Sequence, residues 1–149
     1  MSISNLLRKL IGTATPKPFQ PVLRAEVSMT DLWRMLNKLF PQAGIFMARD
    51  TYDLCNLKDI EEFLRLDDTN RRIYDLRRYR CSDFAFRLQG QLSVPGWSGL
   101  AKGIFWTEIH ALSCFLDQNL DFWYIEPQTD NAKANLEEWQ GKVCRLIIM

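Results

Sequence analysis

Several features that would place a protein in a functional class are scarce or missing in this sequence. Its 149 residues include one histidine and four cysteines, and no two cysteines form a CxxC pair. A zinc knuckle or a dithiol redox motif is therefore not expected, and we interpret the cysteines as reduced thiols. No apolar run approaches the roughly 20 residues that span a bilayer. Residues 1–12 also lack the long apolar core of a signal peptide, so neither a membrane anchor nor secretion by a signal peptide is predicted.

The chain also lacks an excess of charge of either sign. Lysine and arginine together number 19 and aspartate and glutamate 18, which gives a formal net charge of +1 at pH 7. No global field is available to attract nucleic acid or an anionic membrane, so neither is an expected partner. A local run of arginines lies within residues 71–80, but Asp75 within it and the preceding Asp67 and Asp68 favour a solvated, paired surface.

Prolines divide the chain into an N-terminal arm, a connector and one domain. Residues 13–21 hold three prolines in nine positions, which forbids a helix and favours an extended connector. Before it, residues 1–12 place leucines and isoleucines at helical spacing opposite Arg8 and Lys9, which predicts a short amphipathic helix. This arm could dock on its own domain or on a partner. Residues 22–149 fit one ordinary domain.

Apolar spacing predicts helices in the first part of the domain and strands in the second. Helices are predicted over residues 30–40, from Asn56 onwards, over 69–78, and from Cys81 towards Gly90. Residues 103–107, 109–116, 120–126 and 143–148 are rich in aromatic and branched side chains and predict strands. Helices followed by antiparallel strands indicate the α+β class.

The only histidine falls in a predicted hairpin whose register can be calculated. If residues 117–119 form a three-residue loop, Leu116 faces Leu120 and His110 lies directly opposite Glu126. Cross-strand partners share a face with their Cβ atoms roughly 4.5 to 5.5 Å apart, so this carboxylate could orient and charge the imidazole.

Cys81 is the candidate nucleophile for that imidazole. A thiol in the first turn of a helix lies near the positive end of the helix dipole, which favours the thiolate, and Arg80 adds to this field. The alternative is structural: Cys81 also fits an apolar position of an amphipathic helix, and a histidine beside a glutamate can be structural too.

Three segments carry a resemblance to a known family: residues 79–85 (YRCSDFA), 110–111 (HA) and 124–129 (YIEPQT). They resemble the papain-like protease domain found at the C-terminus of the Marasmius oreades agglutinin and in many small phage proteins. The resemblance covers about residues 45–149 and implies a papain-like fold with Cys81 as nucleophile, His110 as base and Glu126 as the residue that orients the base. It also allows calcium or manganese, with Asp83 as the nearby candidate ligand. No other cofactor is indicated.

The sequence thus supports two hypotheses about function. The first is a small papain-like thiol hydrolase or peptidase, phage-encoded and acting on a peptide or protein, in which Tyr52 and Gln128 are candidate oxyanion donors. The second is a non-enzymatic virion or assembly protein that keeps this fold and docks on a neighbouring subunit through residues 1–12. Both hypotheses place the protein in the host cytoplasm or the phage virion.

Overall fold

The structure, a computed structural model, describes residues 19–149. The predicted arm and residues 13–18 of the predicted connector lie outside the described residues. Within them the fold is α+β, as predicted, with three α-helices and a mixed six-stranded sheet. In chain order the elements are β1 (Ala25–Ser28), α1 (Met29–Leu39), β2 (Gly44–Phe46), β3 (Thr51–Leu54), α2 (Leu57–Leu66), a 3₁₀ turn (Thr69–Arg71), α3 (Cys81–Gln91), β4 (Lys102–Thr107), β5 (Ala111–Leu116), β6 (Phe122–Glu126), β7 (Asn131–Lys133), a second 3₁₀ turn (Glu138–Gln140) and β8 (Cys144–Ile148).

The main sheet has the strand order β2-β8-β4-β5-β6-β7, and all its neighbours are antiparallel except the pair β2–β8. Strands β1 and β3 form a separate antiparallel pair. Every residue of the central strand β5 is buried, because helices cover both faces of the sheet. Leu112 packs towards α1. On the other face of the sheet, Ala111 packs towards α3 and Phe115 towards α2.

Two of the helices predicted before Cys81 are confirmed as α1 and α2, and each begins with a side-chain cap. The Ser28 hydroxyl accepts from the backbone N–H of Asp31 at 3.1 Å, and the Asn56 side chain accepts from that of Asp59 at 3.0 Å. These bonds satisfy N–H groups that have no partner inside the helix. No helix among residues 19–149 is long and apolar enough to cross a membrane.

The predicted helix over residues 69–78 is wrong. Only Thr69–Arg71 forms a 3₁₀ turn, and the following chain folds back on itself. The carboxylate of Asp75 accepts from the backbone N–H of Arg77 at 2.8 Å and from that of Arg78 at 3.2 Å, which makes a side-chain-stabilised turn in place of a helical one. Four short strands were not predicted, and none of them is longer than four residues: β1, β2, β3 and β7.

The β5–β6 hairpin has a different register from the predicted one. Leu116 pairs with Phe122, not with Leu120, so the connection runs from Asp117 to Asp121. The Asp117 carboxylate accepts from the N–H of Asn119 at 2.8 Å and from that of Asp121 at 3.1 Å, and Leu120 has φ 66°. This internally bonded loop is longer than the three residues assumed from the sequence, which shifts the register by two.

Phe19 marks the first described contact of the N-terminal segment with the domain. Its ring lies 5.5 Å from that of Trp97, and its carbonyl accepts from the Trp97 indole N–H at 3.2 Å. Farther along, the Val22 N–H donates to the Asp59 carboxylate at 3.0 Å. The end of the proline-rich segment is therefore bonded to α2 and to the loop after α3.

Candidate functional site

Cys81 and His110 lie on the wall of one open cleft of about 310 Å³. The cleft runs between the first turn of α3 and the connection from β4 to β5. Packing of Ala85 against Ile104 and Ala111 fixes α3 on this part of the sheet. The residues that line the cleft are Arg80, Cys81, Ser82, Trp106, Thr107, Glu108, Ile109, His110 and Ala111.

Cys81 is the first residue of α3, as the sequence analysis predicted. The carboxylate of Asp83 accepts from the backbone N–H of Arg80 at 2.8 Å, which closes the first turn around the thiol. Asp83, the candidate metal ligand, is therefore a helix-capping residue here. Residues 19–149 contain no group of three or more histidine, cysteine, aspartate or glutamate side chains that could hold a metal ion.

The four cysteines differ in their surroundings, and all are free thiols. Cys81 is half-buried, whereas the other three are buried. Burial, assisted by the nearby Asp59 carboxylate, raises the pKa of Cys55 to about 12. Burial likewise raises the pKa of Cys144 to about 12 and that of Cys114 above its ordinary value. The three buried thiols are held in the protonated form and are shielded from solvent. Cys81 is therefore the most accessible of the four thiols.

His110 is held by bonds from its backbone and its ring. Its backbone N–H donates to the Thr107 hydroxyl at 2.9 Å, and its carbonyl accepts from the Thr107 N–H at 2.9 Å. Its ring Nε2 lies 2.7 Å from Oε2 of Glu126, and only 10% of the histidine side chain and 5% of the glutamate side chain are exposed. The indole of Trp139 packs edge-on against the imidazole at 5.0 Å.

Glu126 has hydrogen-bond donors on both carboxylate oxygens. Besides His110, the Gln140 side-chain amide donates to Oε2 at 3.2 Å, and the backbone N–H of Gln128 donates to Oε1 at 3.3 Å. A buried carboxylate needs such partners, because an unpaired buried charge is costly. The side-chain amide of Gln128, a predicted oxyanion donor, lies 3.4 Å from the same Oε1 and does not line the cleft.

Tyr52, the other predicted oxyanion donor, lies away from the cleft. Its side chain is 1% exposed, and its hydroxyl accepts from the backbone N–H of Ala48 at 3.0 Å and lies 3.2 Å from the carbonyl of Met149. It lines a different cavity, which lies between the C-terminal half of α3, the start of β4 and the end of β8. The structure therefore brings together Cys81, His110 and Glu126 from the predicted set, and leaves Tyr52 out.

The arrangement defines what the imidazole can do. Because Nε2 faces the Glu126 carboxylate, the proton of a neutral ring is favoured on Nε2, which leaves Nδ1 as an acceptor. A thiol on the same cleft wall can pass its proton to such a nitrogen when the two approach. The geometry therefore places an accessible thiol and an oriented imidazole on one cleft wall.

Three residues that support the site were missed by the sequence analysis: Thr107, Trp139 and Gln140. The Thr107 hydroxyl donates to the Gln140 carbonyl at 2.6 Å, which ties the second 3₁₀ turn to the β4–β5 connection. Gly141 follows at φ +97°, and a Cβ there would lie 2.6 Å from the Thr107 hydroxyl oxygen. These contacts span more than 30 residues, so no local spacing in the sequence could have indicated them.

Comparison with known proteins gives a fold but no sequence family. No family model matches the chain, and no curated protein matches it. Two lectin structures share the fold. One, described as the PSL1a–E64 complex, has a TM-score of 0.71 at 15% identity and covers 85% of this chain. The other is Polyporus squamosus lectin bound to the epitope Neu5Acα2-6Galβ1-4GlcNAc, with a TM-score of 0.68 at 16% identity and 85% coverage. This chain spans 51% and 50% of those two chains, about half of each.

These neighbours correct the family and the function predicted from the sequence. Both are lectins, so the assignment to a papain-like protease family is not supported, and the predicted peptidase is wrong. The alternative, a phage assembly protein that docks through residues 1–12, finds no support in either neighbour. Three short segments of similarity were too little to assign a family, because each motif also fits a structural role. The neighbours share the α+β fold of this chain, and the predicted papain-like features of that fold are not confirmed.

Proposed function

We propose that residues 19–149 form a ligand-binding domain and that its binding site is the cleft lined by Cys81 and His110. The observation that carries the proposal is the shared cleft itself: an accessible thiol and an imidazole held by Glu126 lie on one open wall. Concave sites with a few oriented polar groups and aromatic walls are typical of small-molecule binding.

Carbohydrate is the ligand class that we propose first. The lectin neighbour was solved with a sialylated trisaccharide. This chain has one indole in the cleft and a second against His110, and both suit the apolar face of a sugar ring. Trp106 lines the cleft, and Trp139, 54% exposed, packs against His110 at its edge. A tryptophan side chain presents a large rigid face together with one N–H donor, which suits a ligand that is apolar on its faces and polar at its edges.

The roles of the predicted site residues remain part of this proposal. We assign Cys81 as a reactive thiol in the binding cleft, His110 as the group that accepts its proton, and Glu126 as the residue that orients His110. E64 is a second probe of the same cleft, because PSL1a forms a complex with it.

An NMR titration with two tryptophan variants tests the proposal. The trisaccharide Neu5Acα2-6Galβ1-4GlcNAc and, in a separate series, E64 are added to ¹⁵N-labelled protein. We expect shifts of the Trp106 and Trp139 indole N–H signals, and Trp139→Ala should weaken trisaccharide binding by about tenfold or more. Trp33→Ala is the matched control, because Trp33 is 45% exposed on α1 and does not line the cleft.

The outcomes separate the ligand class from the site. If E64 shifts the cleft signals and the trisaccharide shifts none, the carbohydrate assignment fails and the cleft remains the site. If neither probe shifts a cleft signal, or if Trp33→Ala weakens binding as much as Trp139→Ala, the proposed site is refuted.

A further inference from the structure

A second cavity, of about 460 Å³, lies between the C-terminal half of α3, the start of β4 and the end of β8. It shares no lining residue with the cleft at Cys81. Its walls are mostly apolar, and its polar groups are hydroxyls, one amide and two cationic side chains. The lining residues are Arg49, Tyr52, Phe86, Gln89, Ser93, Ser98, Leu100, Lys102, Ile104, Ile148 and Met149.

Lys102 is the unusual residue of this cavity. It is only 8% exposed, and its ammonium has one hydrogen-bond acceptor among the described residues, Oε1 of Gln89 at 3.1 Å. Gln89 is itself fixed, because its Nε2 donates to the Gly103 carbonyl at 2.7 Å. A lysine ammonium carries three donors, so two of them have no acceptor within residues 19–149.

No aspartate or glutamate side chain lines the cavity to neutralise Lys102. Within residues 19–149 the lysine takes part in no ion pair, and a second cation, the exposed Arg49, lines the same cavity. Burial, with a smaller contribution from Arg49, lowers the pKa of Lys102 to about 8. A buried ammonium without a counter-ion destabilises the fold, so its position here calls for an anion as its partner.

We propose that this cavity binds a small organic oxyanion, a carboxylate or a phosphate ester that carries an apolar body. The buried Lys102 and the exposed Arg49 would hold the anionic group, and Phe86, Leu100 and Ile104 would pack against the apolar part. The cavity is larger than an inorganic phosphate needs, and its apolar walls would leave such an ion poorly contacted.

Phenyl phosphate is the probe for this site, and inorganic phosphate is the comparison ligand. Calorimetric titrations of the full chain should show binding of phenyl phosphate and binding at least tenfold weaker for inorganic phosphate. Lys102→Met should weaken phenyl phosphate binding by at least tenfold, and Arg49→Met by a smaller factor because Arg49 is exposed. Lys58→Met is the matched control, because Lys58 is an exposed lysine on α2 outside the cavity.

The lysine variant should fold, because methionine fills the same volume and removes a buried unpaired charge. Its thermal midpoint should equal or exceed that of the unchanged protein. Loss of binding in a folded Lys102→Met variant, with normal binding by Lys58→Met, supports the site. The proposal is overturned if phenyl phosphate does not bind, or if it binds Lys102→Met as well as the unchanged protein.

Discussion

Nε2 of His110 lies 2.7 Å from Oε2 of Glu126, although the two residues are not directly opposite each other in the sheet. Extending the observed register places Glu126 opposite Leu112. A shift of two residues keeps the same residues on the same face, and long side chains reach a diagonal neighbour. The predicted contact is therefore present, and the pairing from which it was predicted is wrong.

The carboxylate of Glu126 should control the reactivity of Cys81 through His110. Glu126→Gln keeps the shape of the side chain but removes the charge that orients the imidazole. We expect alkylation of Cys81 by iodoacetamide at neutral pH to slow several-fold, because a poorly oriented His110 accepts the thiol proton less readily. Peptide mass spectrometry of each cysteine over time measures this rate. Glu138→Gln, an exposed change in the second 3₁₀ turn, is the control, and equal rates in the two variants would contradict the role given to Glu126.

Thr107 should be the residue that holds His110 in position. Its hydroxyl accepts from the His110 N–H at 2.9 Å and donates to the Gln140 carbonyl at 2.6 Å. Thr107→Val keeps the volume and removes both bonds, so we expect a loss of about 1–3 kcal/mol in the free energy of unfolding. Urea denaturation measures the loss. Thr129→Val, at an exposed position, should change stability by less than about 0.5 kcal/mol.

Asp130 should make stability depend on pH between about 4 and 6. Burial, together with the nearby Asp67 carboxylate, raises its pKa to about 6. The folded chain keeps this proton up to about pH 6, whereas the unfolded chain loses it near pH 3.9. Proton binding by Asp130 therefore stabilises the folded state at low pH. That stability is lost as pH rises through the folded-state pKa. Allowing for partial solvation, we expect a contribution of about 1–2 kcal/mol.

Asp130→Asn tests this contribution, because asparagine tolerates the φ of 59° at this position. The difference in unfolding free energy between the two proteins should grow in favour of the asparagine variant as pH rises from about 4 to about 6.5. A difference that stays constant over this range would show that Asp130 titrates normally.

Phe19 should belong to the folded domain even though it lies in the proline-rich segment predicted as a connector. Its ring packs on Trp97, and its carbonyl accepts from the indole N–H. A chain that begins at residue 13 should keep the thermal midpoint of the full chain within a few degrees. A chain that begins at residue 23 should melt clearly lower, because it loses these contacts and the bond from Val22 to Asp59. Equal midpoints for the two truncated chains would place the domain boundary after Phe19.

The sequence was sufficient to predict the elements with strong apolar periodicity and clear caps. Helices α1 and α2, the start of α3 at Cys81 and the four longer strands are confirmed. The short strands β1, β2, β3 and β7 were missed because three or four residues carry too little periodicity. The hairpin loop was misjudged because its length depends on the Asp117 carboxylate, whose bonds no spacing rule includes.

The candidate site was only partly predictable for a related reason. Cys81 was identified from its place in a helix, and the contact of His110 with Glu126 from the alternation along two strands. The bonds of Gln140 to Thr107 and to Glu126 join segments distant in sequence, so they become visible only in the folded chain. Lys102 was not singled out, because nothing local distinguishes a buried lysine from an exposed one.

The central claim, that the cleft at Cys81 and His110 is a ligand-binding site, is tested most directly by protection of the thiol. The rate of iodoacetamide labelling of each cysteine is measured without ligand, with saturating trisaccharide and with saturating E64. Without ligand, Cys81 should label at least tenfold faster than the buried Cys55, Cys114 and Cys144. At least one ligand should slow the labelling of Cys81 by tenfold or more and leave the others unchanged. Equal labelling of all four thiols, or labelling of Cys81 that neither ligand slows, would contradict the account.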